Sequence, residues 1–146
     1  MTAGAVVVGP EGGQSLPWGP AGTIRIVAGA ASTDGSFSVC EVREEPGSGA
    51  PLHVHNGEAE AFYILQGTLE LTCGDETATA TAGDFVYAPR GVPHRYVVVG
   101  EEPARVLLLF SRPGFETFFV EASADPGSLP RIAGRYDLEL LEAPAH

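Results

Sequence analysis

The sequence of 146 residues contains no lysine, so all eight basic side chains are arginines. Without a lysine amine, a Schiff-base enzyme of the pyridoxal-phosphate or aldolase type is excluded, and so is a nucleotide-binding P-loop. Nineteen acidic residues outnumber the arginines and leave a formal net charge of −11. An acidic surface repels phosphate groups, so we expect neither a nucleic-acid partner nor a membrane partner.

Cysteines and long apolar runs are also scarce. Cys40 and Cys73 can form one disulfide at most, and we expect both to be reduced thiols within strands. No apolar stretch reaches the length of a membrane span, and the segment from Met1 to Pro10 lacks the basic residue and the long apolar core of a signal peptide. These absences lead us to expect a cytoplasmic protein.

Short strands and tight turns dominate what the sequence does contain. Nineteen glycines and twelve prolines accompany a hydrophobic fraction of 44%. Apolar and polar residues alternate over 23–28, 36–43 and 68–73, and each run ends at turn-forming residues. We therefore predict an all-β barrel or sandwich, as one domain over residues 1–146 with a barrel core at about residues 23–111.

The pattern changes near the C-terminus, where a helical period replaces the alternation. Phe115, Phe118, Phe119 and Ala122 follow the spacing i, i+3, i+4, i+7, which predicts one buried helix face. The stretch 111–113 resembles a helix start, with proline in the first turn. A second short helix is predicted over 128–136, so that residues 113–141 form a C-terminal helical segment.

Three of the four histidines lie in two glycine-bounded motifs. His53 and His55 are two apart on an extended segment, so both side chains point to one face. A turn then lets the chain fold back, Glu60 opens the next strand, and His94 opens a later one. Three imidazoles and one carboxylate can converge in this way on one divalent cation. The fourth histidine, His146, lies outside both motifs, and we expect it to sit in a frayed end.

The predicted cofactor is therefore one divalent transition metal, held by His53, His55, Glu60 and His94. Iron, manganese, nickel, zinc and copper all accept such ligands, and the spacing does not choose among them. Glu58 competes with Glu60 for the carboxylate position, but strand alternation favours Glu60. Besides binding the metal, Glu60 could swing off and take a proton from a substrate, which makes it a candidate catalytic residue.

Several apolar side chains share the strand alternation of the predicted ligands and should line the barrel interior. Core packing and substrate contact explain these positions equally well. Tyr96 is also a candidate catalytic residue, because a phenol near a metal can hydrogen-bond a bound oxygen. The predicted pocket comprises Phe62, Ile64, Phe85, Tyr87, Tyr96 and Val98.

The two motifs resemble those of the cupin superfamily. The first is Gly47-x5-His53-x-His55-x4-Glu60-x6-Gly67, and the second is Gly83-x5-Pro89-x-Gly91-x2-His94. The stretches 61–67, 88–94, 111–119 and 135–141 look like single-domain bacterial cupins of the quercetin-dioxygenase-like type. One position departs from the second motif, since Val98 stands where an asparagine is common, and this change removes a polar group from the cavity wall.

The resemblance implies a cupin double-stranded β-helix, or jelly-roll barrel, with one or two short C-terminal helices. It also implies a dioxygenase-like metal enzyme acting on a small organic substrate. The same site could serve a non-redox isomerase, cyclase or decarboxylase, or a cupin that binds a small molecule without catalysis. Cupins commonly dimerise through edge strands, and the exposed apolar run Val6–Val8 leads us to expect a homodimer.

Overall fold

The computed structural model describes residues 4–142, and the predicted frayed end at His146 lies outside them. Across the described residues the chain forms eleven strands and two short α-helices. The strands are β1 (Gln14–Trp18), β2 (Gly22–Ala28), β3 (Ser38–Glu44), β4 (Gly49–His55), β5 (Glu60–Gln66), β6 (Thr68–Cys73), β7 (Glu76–Thr81), β8 (Phe85–Ala88), β9 (His94–Val99), β10 (Ala104–Phe110) and β11 (Leu138–Leu140).

The strands form two antiparallel sheets. The six-stranded sheet has the order β1-β2-β3-β10-β5-β8, and the five-stranded sheet has the order β11-β4-β9-β6-β7. Neighbouring strands in each sheet are mostly distant in sequence, so the chain crosses repeatedly from one sheet to the other. This is the cupin double-stranded β-helix that the sequence predicts, with its core between the two sheets.

Alternation along each strand separates an inner face from an outer face. In β3, the buried positions are Ser38, Cys40, Val42 and Glu44, and the residues between them are more exposed. The apolar residues at inner positions of both sheets form one continuous core. The strand period of two therefore decides which side chains enter the barrel.

The C-terminal segment contains the two short helices that the sequence predicts, but the first begins later than predicted, the second is shorter, and the predicted helical segment ends in strand β11. The first helix, α1, spans Glu116–Ala124, and a 3₁₀ turn (Pro126–Ser128) leads into α2 (Leu129–Gly134). Helix α1 begins after residues 111–113 because Gly114 has a φ of +89°, which interrupts a right-handed helix. The buried face of α1 carries Phe118, Phe119 and Ala122.

Two strands at the sheet edges were not predicted. Strand β1 pairs with β2, and its Trp18 packs edge-on against Phe119 with a ring-centroid distance of 5.1 Å. Strand β11 pairs with β4, with Leu138 opposite His55 and Leu140 opposite His53. Both strands are short, and β1 contains Pro17, so tertiary contacts rather than local pattern create them.

The described part of the chain contains no helix that could span a membrane. None of its helices combines the length and the apolar character that a membrane span requires.

Candidate metal centre

The structure brings His53, His55, Glu60 and His94 together inside one end of the barrel. All four are buried, and one ligand atom from each lies within 4.8 Å of the other three. The Nε2 atoms of His55 and His94 lie 3.0 and 3.1 Å from Oε1 of Glu60, and Nε2 of His53 lies 4.0 Å from the same oxygen. Three imidazoles therefore face one carboxylate oxygen.

An irregularity in β4 turns both of its histidines inward. Ala50 and His53 both face the interior although they are three residues apart, and the pairing of β4 with β9 shifts register between them. Such a shift is the mark of a β-bulge, in which one extra residue is accommodated. Pro51 suits this position because it has no N–H to lose from the sheet. The bulge sets the alternation so that His53 and His55 enter the barrel.

Each imidazole is held on the side that faces away from the cluster. The Nδ1 atoms of His53 and His94 donate to the carbonyl oxygens of Pro51 and Val92, at 2.7 and 3.1 Å. The Nδ1 atom of His55 donates to Oε2 of Glu58 at 2.6 Å. Because carbonyl and carboxylate oxygens only accept, each Nδ1 carries a proton, and each Nε2 is the nitrogen presented to the centre.

The electrostatics of the cluster favour a carboxylate anion at its middle. Burial alone would raise the pKa of Glu60, but the imidazoles of His53, His55 and His94 hold this pKa well below its usual range. Burial alone would lower the pKa of His55, but its hydrogen bonds to Glu58 and Glu60 outweigh burial and raise the pKa to about 9. The site therefore holds a negative charge on the Glu60 carboxylate, where a metal cation can take the place of the imidazole protons that face it.

The donor set fits a divalent transition metal. Bonds from zinc to imidazole nitrogen or carboxylate oxygen are about 2.0–2.2 Å long, so ligand atoms around one ion lie within about 4.4 Å of one another. The spread of 4.8 Å in this cluster needs only a small contraction. Imidazole and carboxylate ligands suit several metals, so the identity of the ion stays open.

Tyr96, a predicted catalytic residue, is buried with a second acidic side chain. Its hydroxyl donates a hydrogen bond to Oε1 of Glu44, which stands at the last inner position of β3. Burial raises the pKa of Glu44, although the hydrogen bond from Tyr96 acts in the opposite direction. Burial and the Glu44 carboxyl raise the pKa of Tyr96 well above its usual range. Tyr96 is therefore a neutral phenol whose proton lies in a hydrogen bond to Glu44.

The predicted pocket residues divide between the two faces of the barrel. Phe62, Ile64 and Val98 are each 1% exposed or less and pack in the core. Phe85 and Tyr87 are 63% and 57% exposed, so their prediction as interior residues is wrong. Strand β8 pairs with β5 so that Val86 and Ala88 stand opposite the inward Phe62 and Glu60, and this register turns Phe85 and Tyr87 outward.

Two buried acidic residues near the site were not assigned a role from the sequence. Glu44 could have been found by extending the inner alternation of Ser38, Cys40 and Val42 by one step. Glu58 was considered as a rival ligand, whereas the structure makes it the acceptor for His55 Nδ1. Arg112, whose Nη1 lies 3.7 Å from Oε1 of Glu58, comes from 54 positions further along the chain, and no local signal marks it.

Neither cysteine belongs to the site. Both are free thiols, as expected, and Cys40 is fully buried in the core. Burial raises the pKa of the Cys40 thiol to about 12, so it carries its proton at neutral pH and behaves as a small apolar side chain.

Known proteins share sequence with part of this chain. The family model of the cupin domain matches residues 40–110. The chain is 35% identical to quercetin 2,3-dioxygenase from Bacillus subtilis (strain 168) over 71 residues, which are 49% of this chain and 21% of that enzyme. The chain spans no more than 21% of the length of the first curated relatives that it matches.

Solved structures extend the likeness beyond the matched segment. KdgF from Halomonas sp. has a TM-score of 0.63 at 22% identity, over 71% of this chain and 92% of that one. A putative sugar phosphate isomerase from Acidithiobacillus ferrooxidans ATCC 23270 has a TM-score of 0.55 at 27% identity, over 62% of this chain and 59% of that one. A cupin domain match over about half of the chain and folds of the same kind therefore accompany the buried His₃Glu cluster, which is compatible with a divalent metal.

Proposed function

We propose that this chain is a mononuclear metal-dependent cupin enzyme, a quercetin-dioxygenase-like oxygenase that acts on a small organic substrate. His53, His55, Glu60 and His94 hold the metal. The observation that carries the proposal is the orientation of the three imidazoles, whose Nδ1 atoms are all bonded outward so that their Nε2 atoms surround Glu60. Histidine ligands of metals are held in this way, because the outward bond fixes the tautomer and the ring.

The chemistry that a bound metal supplies is Lewis-acid polarisation of a substrate oxygen, or electron transfer with O₂ where the ion is redox-active. Four protein ligands leave one or two positions open for substrate. The buried rings of Phe62 and Phe110 pack against the imidazoles of His94 and His55 and exclude water from this part of the interior. An enolate-type substrate is the class that this combination of a cation and an apolar wall suits best.

Glu60 has two candidate roles, and the geometry favours one of them. A general base works best when its pKa lies near the working pH, whereas three imidazoles hold the pKa of Glu60 well below its usual range. Glu60 is therefore better suited to stay an anionic ligand. To accept a substrate proton, its carboxylate must first move away from the imidazoles.

A non-redox cupin is the second candidate function. The putative sugar phosphate isomerase with a similar fold supports it, and so does the compatibility of the ligands with ions that have no redox chemistry. Cyclase and decarboxylase reactions belong to the same class. A cupin that binds a small molecule without catalysis is the third candidate.

Metal analysis followed by oxygen uptake tests the proposal. Protein purified anaerobically should contain one transition-metal ion per chain by elemental analysis. It should then consume oxygen with a flavonol, a β-diketone or a related enol, and His94→Ala should abolish both signals. Turnover of a carbonyl substrate without oxygen uptake would favour the isomerase class. Stoichiometric metal with no turnover of any substrate tested would favour the binding protein.

We also propose that the protein is a cytoplasmic homodimer. Val6 and Val7 are 48% and 89% exposed and precede the edge strand β1, which supports contact with a second copy. Free thiols at Cys40 and Cys73 suit a reducing compartment. A monomeric mass by light scattering at micromolar concentration would contradict the dimer.

A further inference from the structure

The C-terminal segment forms the wall behind His55. Strand β11 pairs with β4, so that Leu138 stands opposite His55 itself. The backbone N–H of Asn56 donates to the carbonyl oxygen of Asp137 at 2.9 Å. On the other side, the ring of Phe115 packs edge-on against the imidazole of His55 at a centroid distance of 5.2 Å. Residues far along the chain therefore surround this one histidine.

Glu58 connects His55 to that wall. Its side chain has no exposed surface, and its Oε2 accepts the Nδ1 proton of His55. Its other oxygen, Oε1, is buried and has no hydrogen-bond partner among the residues that the structure describes, and the guanidinium of Arg112 lies 3.7 Å away. A buried carboxylate lowers the stability of the fold unless a positive charge or hydrogen-bond donors compensate it. Arg112 is the group that compensates the charge of Glu58 in this position.

Arg112 is in turn held in place by the C-terminal segment. Its Nη1 donates to the carbonyl oxygen of Tyr136 and to Oδ2 of Asp137, both at 3.0 Å. Asp137 has a φ of +56°, so its backbone adopts a left-handed conformation that few non-glycine residues take. Gly57 leaves room for this arrangement, because a Cβ at that position would come within 2.6 Å of Arg112 Nη1.

We propose that Glu58, Arg112 and Asp137 are positioning residues that hold the Nε2 atom of His55 towards the metal. We call these three residues the positioning chain. Glu58 fixes the tautomer and the ring of His55, Arg112 compensates the charge of Glu58, and Asp137 anchors Arg112. The inference rests on the metal site of the proposed function but not on any reaction there. Because the coupling is reciprocal, metal binding should also stabilise the C-terminal segment.

Cobalt(II) titration of the full chain tests the positioning chain. The metal-free protein is titrated with Co²⁺ alone, against a competing chelator, and the visible absorption of the bound ion reports its coordination. Loss of an outer hydrogen-bond partner of a histidine ligand typically weakens metal binding by about 10–100-fold. We expect that loss for Glu58→Gln, about a tenfold loss for Arg112→Met, and a smaller loss for Asp137→Asn. Arg112→Lys keeps a cation near Glu58 and should restore part of the affinity.

Arg131→Met serves as the matched control. Arg131 also lies in the C-terminal segment, but its ion pair is with Asp125, 3.7 Å away and largely exposed. It should bind Co²⁺ as the wild type does. A double variant separates positioning from general damage: Arg112→Met should have little further effect in the Glu58→Gln background, because Arg112 acts through Glu58. Unfolding midpoints of the metal-free proteins identify any variant that fails to fold. If Arg112→Met is one of them, Arg112→Lys replaces it.

The outcomes distinguish this inference from the proposed function. If folded Glu58→Gln and Arg112→Met bind Co²⁺ within twofold of the wild type, with unchanged spectra, the positioning chain is wrong while the metal site stands. Strictly additive losses in the double variant would also contradict it. If the wild type binds no Co²⁺, both proposals fail. An absence of oxygenase turnover, with the expected losses of affinity, overturns only the proposed reaction.

Discussion

Two buried carboxyl groups inside the same barrel behave in opposite ways. Glu60 and Glu44 are each 5% exposed, so burial penalises the anion at both. Three imidazoles nevertheless hold the pKa of Glu60 well below its usual range. Burial raises the pKa of Glu44, and the opposing hydrogen bond from the phenol of Tyr96, its only side-chain partner among residues 4–142, does not offset burial. Imidazoles can carry positive charge and a phenol cannot, and this difference in neighbours decides which carboxyl group is an anion that can bind a cation.

Loss of an imidazole from the Glu60 cluster should have the largest effect. We expect His94→Ala to weaken metal binding by more than about 100-fold, beyond the range for loss of an outer hydrogen bond to a ligand. Elemental analysis after gel filtration measures the bound metal, and unfolding of the metal-free protein checks the fold. If the variant keeps one ion per chain and still turns over substrate, the assignment of His94 as a ligand is wrong.

The same substitution at the two carboxyl groups tests the comparison directly. Glu60→Gln removes an anionic ligand, so metal affinity should fall by at least about tenfold. Glu44→Gln changes an equally buried residue away from the ligand atoms, so affinity should stay within twofold of the wild type. Competition with a chelator measures both. Equal losses in the two variants would mean that burial, and not the imidazole environment, governs the metal site.

Removing the phenol that bonds to Glu44 should destabilise the folded protein. Tyr96→Phe leaves the buried Glu44 carboxyl without its donor, and an unsatisfied buried polar group costs about 1–3 kcal/mol in the free energy of unfolding. Tyr63→Phe is the matched control, because Tyr63 is 41% exposed on the outer face and its hydroxyl can bond to water. Urea unfolding measures both variants. A cost for Tyr96→Phe no greater than that for Tyr63→Phe would show that the Tyr96–Glu44 bond contributes nothing.

The pH dependence of stability provides the finest test. Because the pKa of Glu44 is raised on folding, its contribution is fully present below the ordinary carboxyl range, near pH 4.3, and is lost as pH rises through the folded value. In that window the free energy of unfolding should fall by at most about 1.4 kcal/mol per pH unit from this group. Glu44→Gln should remove this fall, which denaturant unfolding between pH 4 and pH 8 detects. Parallel curves for the two proteins would contradict the raised pKa.

Local spacing was enough to predict the four clustered residues, because strand alternation is itself local. His53 and His55 share a face by their separation alone, and Glu60 and His94 each begin a strand. The same reasoning placed Phe85 and Tyr87 inside, and it was wrong because β8 takes its register from β5. The sequence of a four-residue strand does not show which of its two faces will point inward, because the register of its pairing with another strand decides this.

The parts of the site that escaped prediction depend on contacts between distant segments. Glu58 lies beside the ligands in sequence, yet its role depends on Arg112, which depends in turn on Asp137. Strand β11 has only three residues and exists because β4 offers it a free edge. Such elements carry too little local pattern to be distinguished from loop, and only the assembled barrel defines them.

The bulge at Pro51 has a consequence for insertions and deletions. Between Ala50 and His53, the extra residue resets which side chains face inward. A chain that lost one residue there would run in regular alternation from Ala50 through both histidines, and their imidazoles would still face the interior. A strand of unchanged length that failed to form the bulge would keep every ligand in its sequence, yet both imidazoles of β4 would turn to the outside of the barrel. The bulge is therefore as important for the cluster as the identity of the histidines themselves.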